Sequence, residues 1–133
     1  MKHESIVVVY DSCQAIAEEI ADKLGAEAVS AQSMNVRQIE SCQSFILAFE
    51  YQSEGMLTPH WQYVCQTLCS EKLYGKSFAV FVALGDEFGN KVTTKKLCYL
   101  LREKGAHIVG EQPYVSSRGW NLDNWVSSIS PNL

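Results

Sequence analysis

Three short runs of consecutive apolar residues set the main constraint on how this chain can fold. They are Ile6–Tyr10 (IVVVY), Phe45–Phe49 (FILAF) and Phe78–Leu84 (FAVFVAL). A strand that faces water on one side alternates apolar and polar residues, and these runs do not. Each is therefore predicted to be a strand that is covered on both faces. Such strands occur in parallel sheets with helices packed on either side.

Segments with the apolar spacing of helices lie between these strands. Ile16–Leu24 repeats apolar residues at intervals of three and four, and Gly25 marks its end. A second helix is predicted to begin at Thr58-Pro59, because Thr58 can cap it and Pro59 at the first helical position gives up no needed N–H group. Thr94 is expected to cap a third helix.

Two further strands and a closing helix complete the pattern. Glu27–Ser30 is predicted as a short strand, His107–Val109 as the fifth strand and Asp123–Ile129 as the last helix. The alternation predicts a three-layer, doubly wound α/β fold whose five parallel strands take the order 2-1-3-4-5. We expect a single domain over residues 1–133, because the sequence shows no linker and no internal repeat, and its length suits one domain.

The predicted topology also indicates where a ligand would bind. In doubly wound sheets, ligands bind beyond the carboxyl ends of the strands, next to the point where the strand order reverses. Three predicted loops meet there, after the first, third and fourth strands. They are Asp11–Ala15, Glu50–Thr58 and Gly85–Lys91.

Composition narrows the classes of partner and compartment. The net charge of −4 and the lack of a basic stripe argue against nucleic acid. Five cysteines without a C-x-x-C pair indicate free thiols in a reducing compartment rather than disulfides or zinc. No apolar run reaches the length of a membrane span, and Glu4 interrupts the start of the chain where a signal peptide would lie. We therefore expect a cytoplasmic protein that does not bind membranes.

The segments after two of the strong strands resemble those of the flavodoxin family. Phe49–Pro59 (FEYQSEGMLTP) is similar to the family's loop after the third strand, with a glycine shortly before the proline that opens a helix. Gly85–Asn90 (GDEFGN) is similar to the loop after the fourth strand, where an aromatic residue often lies against the flavin ring. The resemblance covers nearly the whole chain. It implies a flavodoxin-like fold and an FMN-binding carrier of electrons.

The loop after the first strand departs from the family. Flavodoxins carry a Ser/Thr-x-Thr-Gly-x-Thr loop there, which wraps the FMN phosphate. In this chain Tyr10-Asp11-Ser12-Cys13 leads directly into the helical pattern, so the Thr-Gly-x-Thr part is missing. Losing three or four charge-assisted hydrogen bonds would cost roughly 4–8 kcal/mol of binding free energy. The departure implies weak or atypical flavin binding.

The resemblance implies a set of cofactor-binding residues in the three loops. They are Ser12, Cys13, Tyr51, Gln52, Gly55, Gly85, Asp86 and Phe88. Phe88 is expected to stack on the flavin ring, with Tyr51 flanking the opposite face. The loops also carry acidic residues, which would steer a redox partner that has a basic docking surface. No catalytic residue and no metal ligand is predicted.

Two other kinds of function remain open from the sequence. The missing phosphate loop is consistent with an interaction or regulatory domain that kept the fold and lost the cofactor. Cys13 could alternatively serve an enzyme, because a helix N-terminus favours the thiolate. A catalytic thiol needs a basic partner, and none accompanies Cys13 in the sequence. An electron carrier or a binding domain is therefore preferred over a catalyst.

Overall fold

The chain forms one parallel sheet of five strands. The structure, a computed structural model, describes residues 5–11, 14–33, 36–50, 66, 73–83, 87–112 and 122–133. The strands are β1 (Ile6–Asp11), β2 (Glu27–Ser30), β3 (Ser44–Glu50), β4 (Ser77–Ala83) and β5 (His107–Gln112). They lie in the order β2-β1-β3-β4-β5, and every neighbouring pair is parallel. The predicted fold class and strand order are confirmed.

Helices connect the strands. Those within the described residues are α1 (Gln14–Leu24), α2 (Val36–Ser41), α3 (Glu87–Glu103) and α4 (Leu122–Ile129), with short 3-10 turns at Ala31–Ser33 and Ser130–Asn132. The predicted helix after Thr58-Pro59 lies outside the described residues, apart from Gln66, which is helical. The sequence did not predict α2, since six residues are too few to show a helical period.

The start of α3 corrects two expectations. The sequence predicts a loop over Gly85–Lys91 and a helix cap at Thr94, but α3 already begins at Glu87 and Thr94 lies within it. Gly89 resembles a loop signal, yet a single glycine costs a helix only about 1 kcal/mol. In a helix of 17 residues that cost is readily offset.

The core lies on both faces of the sheet, because successive strand residues point to opposite sides. One face is covered by α3, through the buried residues Leu97, Cys98 and Leu101 packed on Val7, Val9, Phe45, Leu47, Phe78 and Val80. The other face is covered by α1 and α4, through Ala17, Ile20, Ala21, Trp125, Val126 and Ile129 packed on Val8, Ile46, Ala48, Ala79 and Phe81. Burial on both faces accounts for the lack of alternation in the three strong strands.

Aromatic pairs join neighbouring layers and strands within this core. Phe45 and Phe78 are register partners on β3 and β4, and their rings stack at 4.8 Å between centroids. On the opposite face, Phe81 meets Trp125 of α4 at 5.4 Å in a tilted arrangement. Such offset or tilted pairs typically add about 0.5–1.5 kcal/mol beyond their buried area. The pairs therefore add to the stability of the central strand pairing and of the contact between α4 and the sheet.

The strand β5 carries an irregularity that brings it close to α4. Phe78 pairs with Ile108, but the next residue, Ala79, pairs with Gly110, so Val109 is an extra residue in β5. A Cβ atom on Gly110 would lie 2.8 Å from Cγ2 of Ile129. Because real Cβ atoms do not approach that closely, only glycine lets α4 pack at this distance from the strand.

The end of the sheet where the strands begin, here called the amino edge, is closed by backbone hydrogen bonds. The N–H group of the first residue of β3, β4 and β5 donates to the carbonyl group of the residue just before the neighbouring strand. These bonds run from Ser44 to Ser5 (3.0 Å), from Ser77 to Gln43 (2.9 Å) and from His107 to Lys76 (2.9 Å). They extend the ladder of the sheet across β1, β3, β4 and β5.

Candidate functional site

The predicted site lies at the opposite end of the sheet, the carboxyl edge. Asp11 of β1 pairs with Phe49 of β3, and Glu50 pairs with Ala83 of β4. The three strands therefore end within one residue of each other, and the segments that follow them leave from the same edge. The strand order reverses between β1 and β3, which is where doubly wound sheets bind ligands.

The connection between β1 and α1 is very short. The strand ends at Asp11 and the helix begins at Gln14, so Ser12 and Cys13 alone join them. The predicted loop, Asp11–Ala15, therefore includes the last residue of the strand and the first two residues of the helix. Connections of this type usually have about 2–6 residues, and this one lies at the lower limit. It has few backbone N–H groups to offer a ligand beyond those of the first helical turn.

The charged groups that flank this connection in the sequence are acidic. Asp11 is half-buried at the end of β1, while Glu18 and Glu19 are exposed on the second turn of α1. The Gln14 side-chain amide donates to Glu18 Oε1 at 2.9 Å, which holds that carboxylate along the helix. An incoming anion would meet the positive end of the α1 dipole together with these negative charges.

Most of the predicted cofactor-binding residues lie outside the described residues. These are Ser12, Cys13, Tyr51, Gln52, Gly55, Gly85 and Asp86. Phe88 belongs to the first turn of α3 rather than to a loop, so its backbone position is set by the helix. The assignment of all eight residues stays a prediction. What the structure adds is the common edge from which their segments start.

The described cysteines are structural. Cys42 and Cys98 are reduced thiols, and both are buried in the core on the face that α3 covers, with Cys98 on α3 itself. Among the residues that the structure describes, no cluster of three or more histidine, cysteine or acidic side chains is placed to hold a metal ion. In the same part of the chain, no helix combines the length and apolar character needed to cross a membrane.

A hollow on the surface lies apart from the carboxyl edge. It has a volume of about 260 Å³ and is lined by Glu18, Ala21, Asp22, Ala26 and Ala28. Asp22 and Ala26 are close to the start of β2, so this hollow opens beside α1 and the edge strand rather than among the predicted loops. It is not part of the predicted ligand site.

Comparison with known proteins establishes the fold. No protein-family model matches the chain, and no curated protein matches its sequence. Oxidised flavodoxin 1 from Bacillus cereus is 20% identical, with a TM-score of 0.75 over 96% of this chain and 98% of that one. The flavodoxin of Streptococcus pneumoniae TIGR4 is 17% identical, with a TM-score of 0.75 and the same coverage.

A third match carries a cofactor. Fusobacterium nucleatum flavodoxin bound to flavin mononucleotide is 17% identical, with a TM-score of 0.66 over 95% of this chain and 92% of that chain. At such identities a structural likeness speaks for the fold alone. This chain has the flavodoxin-like fold over nearly its whole length, and the resemblance seen in the sequence is confirmed at that level.

Proposed function

We propose that this protein is a flavodoxin-like redox domain that holds a flavin mainly by its ring system and only weakly by the phosphate of FMN. The observation that carries the proposal is the two-residue connection between β1 and α1. It leaves the fold of an FMN carrier intact while shortening the element that would surround the phosphate.

The ring end of the site is supported by the aligned ends of β3 and β4. Glu50 and Ala83 are register partners, so the segments that follow them start side by side. A flat ligand could lie between these segments, with Phe88 in the first turn of α3 stacking on it and Tyr51 on its other side. When bound, the flavin would supply the capacity to carry one or two electrons. Gln52, Gly55, Gly85 and Asp86 would contact the ring edge.

The phosphate end fits less well. Ser12 and Cys13 would be the residues nearest a phosphate, but two residues cannot enclose a dianion with several N–H donors. Asp11, half-buried beside them, would repel it. The loss of three or four charge-assisted bonds amounts to roughly 4–8 kcal/mol. The residues at this edge therefore fit a flavin ring better than they fit the phosphate dianion.

The acidic character of the carboxyl edge suggests the kind of redox partner. Asp11, Glu50 and Glu87 occupy the ends of two strands and the start of a helix at this edge. Their charges would attract a partner protein with a basic docking surface. We propose that the protein acts in the cytoplasm and that it binds neither nucleic acid nor membranes.

The experiment that tests the proposal compares riboflavin with FMN. Both should bind the flavin-free protein with similar, weak affinity, within about one decade of each other, because the phosphate adds little. Titration followed by flavin fluorescence or calorimetry gives both dissociation constants. Nanomolar binding of FMN with far weaker riboflavin would show that another element holds the phosphate, and the proposal would then be wrong.

An insertion sharpens this test. Adding Thr-Gly-Asn-Thr after Cys13 should strengthen FMN binding selectively, since it restores hydroxyls and N–H groups next to the start of α1. A control insertion of four alanines at the same position should leave the dissociation constants of both flavins unchanged. If both insertions act alike, loop length rather than phosphate contacts limits binding.

The second candidate is an interaction or regulatory domain without a cofactor. The short connection and the acidic residues around it favour this function as well, because they weaken any phosphate site. The two candidates differ in one measurement. A protein that shows no flavin absorption when purified, and binds neither flavin on titration, would belong to the second class.

A further inference from the structure

A group of residues at the amino edge forms a surface that the proposed flavin site does not use. Tyr74, Lys76, Lys104 and His107, here called the amino-edge patch, are joined through their backbones. The Leu73 N–H donates to the Lys104 carbonyl (2.9 Å), the Lys76 N–H to the Leu73 carbonyl (3.1 Å) and the His107 N–H to the Lys76 carbonyl (2.9 Å). The patch is therefore one connected unit, although its members come from two separate turns.

Tyr74 is the most exposed large hydrophobic residue among those described, with 74% of its surface accessible. Its ring nevertheless has a fixed neighbour. A Cβ atom added to Gly105 would lie 2.5 Å from Cδ1 of Tyr74, so the ring rests directly against that glycine. Leu73, next to it, is fully buried and anchors the turn. A ring that already rests on the backbone along one side has less freedom to lose when it binds a partner.

The patch carries two lysines, Lys76 and Lys104, and the position of the first is well defined. Lys76 Nζ donates to the Cys42 carbonyl oxygen at 2.6 Å and lies 5.9 Å from the centre of the Phe45 ring. Its charge is thus fixed at the amino edge. Within the described part of the chain, neither Lys76 nor Lys104 takes part in an ion pair. The chain as a whole has a net charge of −4, so a surface with two lysines differs in charge from the average of the protein.

We propose that the amino-edge patch docks an acidic segment of a partner protein. An exposed tyrosine accompanied by lysines has the composition of a binding hot spot, since aromatic anchors contribute most to affinity and charges select the partner. The sign of the charge requires an acidic partner. The proposal is independent of the flavin, because the patch lies at the opposite end of the sheet from the carboxyl edge.

A second copy of the chain is a poorer occupant. Its acidic carboxyl edge has the complementary charge, but joining the two ends of identical molecules gives a head-to-tail contact, which builds rings or filaments instead of the two-fold dimers that are commonest. Such a contact would also cover the edge where the ligand segments begin. The structure therefore favours a different protein as the partner.

The test uses the full chain without flavin and a fluorescein-labelled peptide of sequence Glu-Glu-Phe-Glu-Glu-Phe-Glu-Glu. We expect saturable binding by fluorescence anisotropy that weakens as salt rises. Tyr74→Ala and Lys104→Glu should each weaken binding about tenfold or more. Thermal melts of every variant establish that it is folded before binding is compared.

Matched controls lie nearby on α3. Tyr99 is also exposed, at 61%, and its hydroxyl is engaged by Glu103, so Tyr99→Ala tests the loss of a surface tyrosine outside the patch. Lys96 is exposed in the middle of the helix, so Lys96→Glu tests the same change of charge elsewhere. Both controls should bind within about twofold of the unmodified protein.

Three results would overturn the proposal. The first is that the peptide does not bind. The second is that the controls lose as much affinity as the patch variants, which would indicate general charge attraction. The third is concentration-dependent self-association in sedimentation velocity that Tyr74→Ala abolishes, which would assign the patch to a second copy of the chain.

Discussion

The two ends of the sheet are built by different means. At the amino edge, successive segments are joined by backbone hydrogen bonds, and Leu73 is buried beneath the turn that carries Tyr74. At the carboxyl edge, three strands stop in register, and the segments that follow carry the residues predicted to bind a flavin. The backbone bonds and the buried leucine of the amino edge maintain the fold, whereas the segments that leave the carboxyl edge carry the side chains predicted to bind the flavin.

This division has an energetic basis. Backbone hydrogen bonds contribute about 0.5–1.5 kcal/mol each regardless of side chain, so the amino edge depends on a few residues that permit its geometry. Those are a buried leucine and glycines with positive φ, namely Gly75 (80°) and Gly105 (94°). Substitutions of this leucine and of these glycines should therefore alter stability, whereas substitutions at the carboxyl edge should alter flavin binding.

The largest effect is expected from Leu73→Ala. Removing a fully buried leucine side chain should lower the free energy of unfolding by about 2–5 kcal/mol, because a cavity opens under the turn. Denaturant unfolding measures this loss. The affinity of the folded fraction for riboflavin should not change. A loss of affinity at unchanged stability would contradict the division between the two edges.

Gly105→Ala should have the next largest effect and Gly75→Ala a smaller one. Both place a β-carbon in the left-handed region, at a cost of about 1–2 kcal/mol. At Gly105 the new atom would also collide with the Tyr74 ring, whereas at Gly75 it would meet nothing within 4 Å. The difference between the two midpoints in urea isolates the contribution of the ring contact. Equal destabilisation would mean that Tyr74 moves aside freely.

At the carboxyl edge, Phe88→Ala should affect binding rather than stability. If the ring stacks on flavin, its removal should weaken riboflavin and FMN equally, by about 0.5–1.5 kcal/mol beyond the loss of contact area. Parallel titrations of the two flavins measure this. Unequal weakening would place Phe88 near the phosphate, and unchanged affinity for both would remove it from the site.

The smallest effect concerns an ion pair between α1 and α4. Lys23 donates to Asp123, and this hydrogen bond and charge raise the pKa of Lys23 above its usual value. A raised pKa in the folded state means that the stabilisation is fully present below the usual lysine pKa and is lost as the pH rises through the folded value. Lys23→Met should therefore lower the melting temperature slightly at neutral pH, and the difference from the unmodified protein should vanish at strongly alkaline pH. A difference that is the same at both pH values would show that charge is not involved.

The sequence was sufficient for the fold because the strong strands are buried on two faces. Phe45–Phe49 and Phe78–Leu84 lack any polar alternation, so few other structures accommodate them. The sequence pattern was insufficient to predict α2 or the residue at which α3 begins. Six residues of α2 carry no measurable period, and Gly89 gives a loop signal that the long helix overrides.

The topology predicted where the candidate site lies, whereas local contacts decide which ligand it binds. The carboxyl edge follows from the strand order, which the core specifies through buried residues such as Val8 and Ile46. The identity of the ligand depends on side chains in the segments that follow the strands, and strand pairing does not determine the conformation of those segments. Ser12, Cys13 and Tyr51 could therefore be predicted only through the resemblance.

The extra residue in β5 has a consequence for how this protein behaves at high concentration. An open sheet has two edge strands, and a long regular edge invites pairing with a strand from another molecule. Here β5 forms one such edge, and Val109 interrupts its spacing between Ile108 and Gly110. An incoming strand would lose register at that point after two residues. The irregularity therefore disfavours the addition of a strand along β5, the longer of the two edge strands.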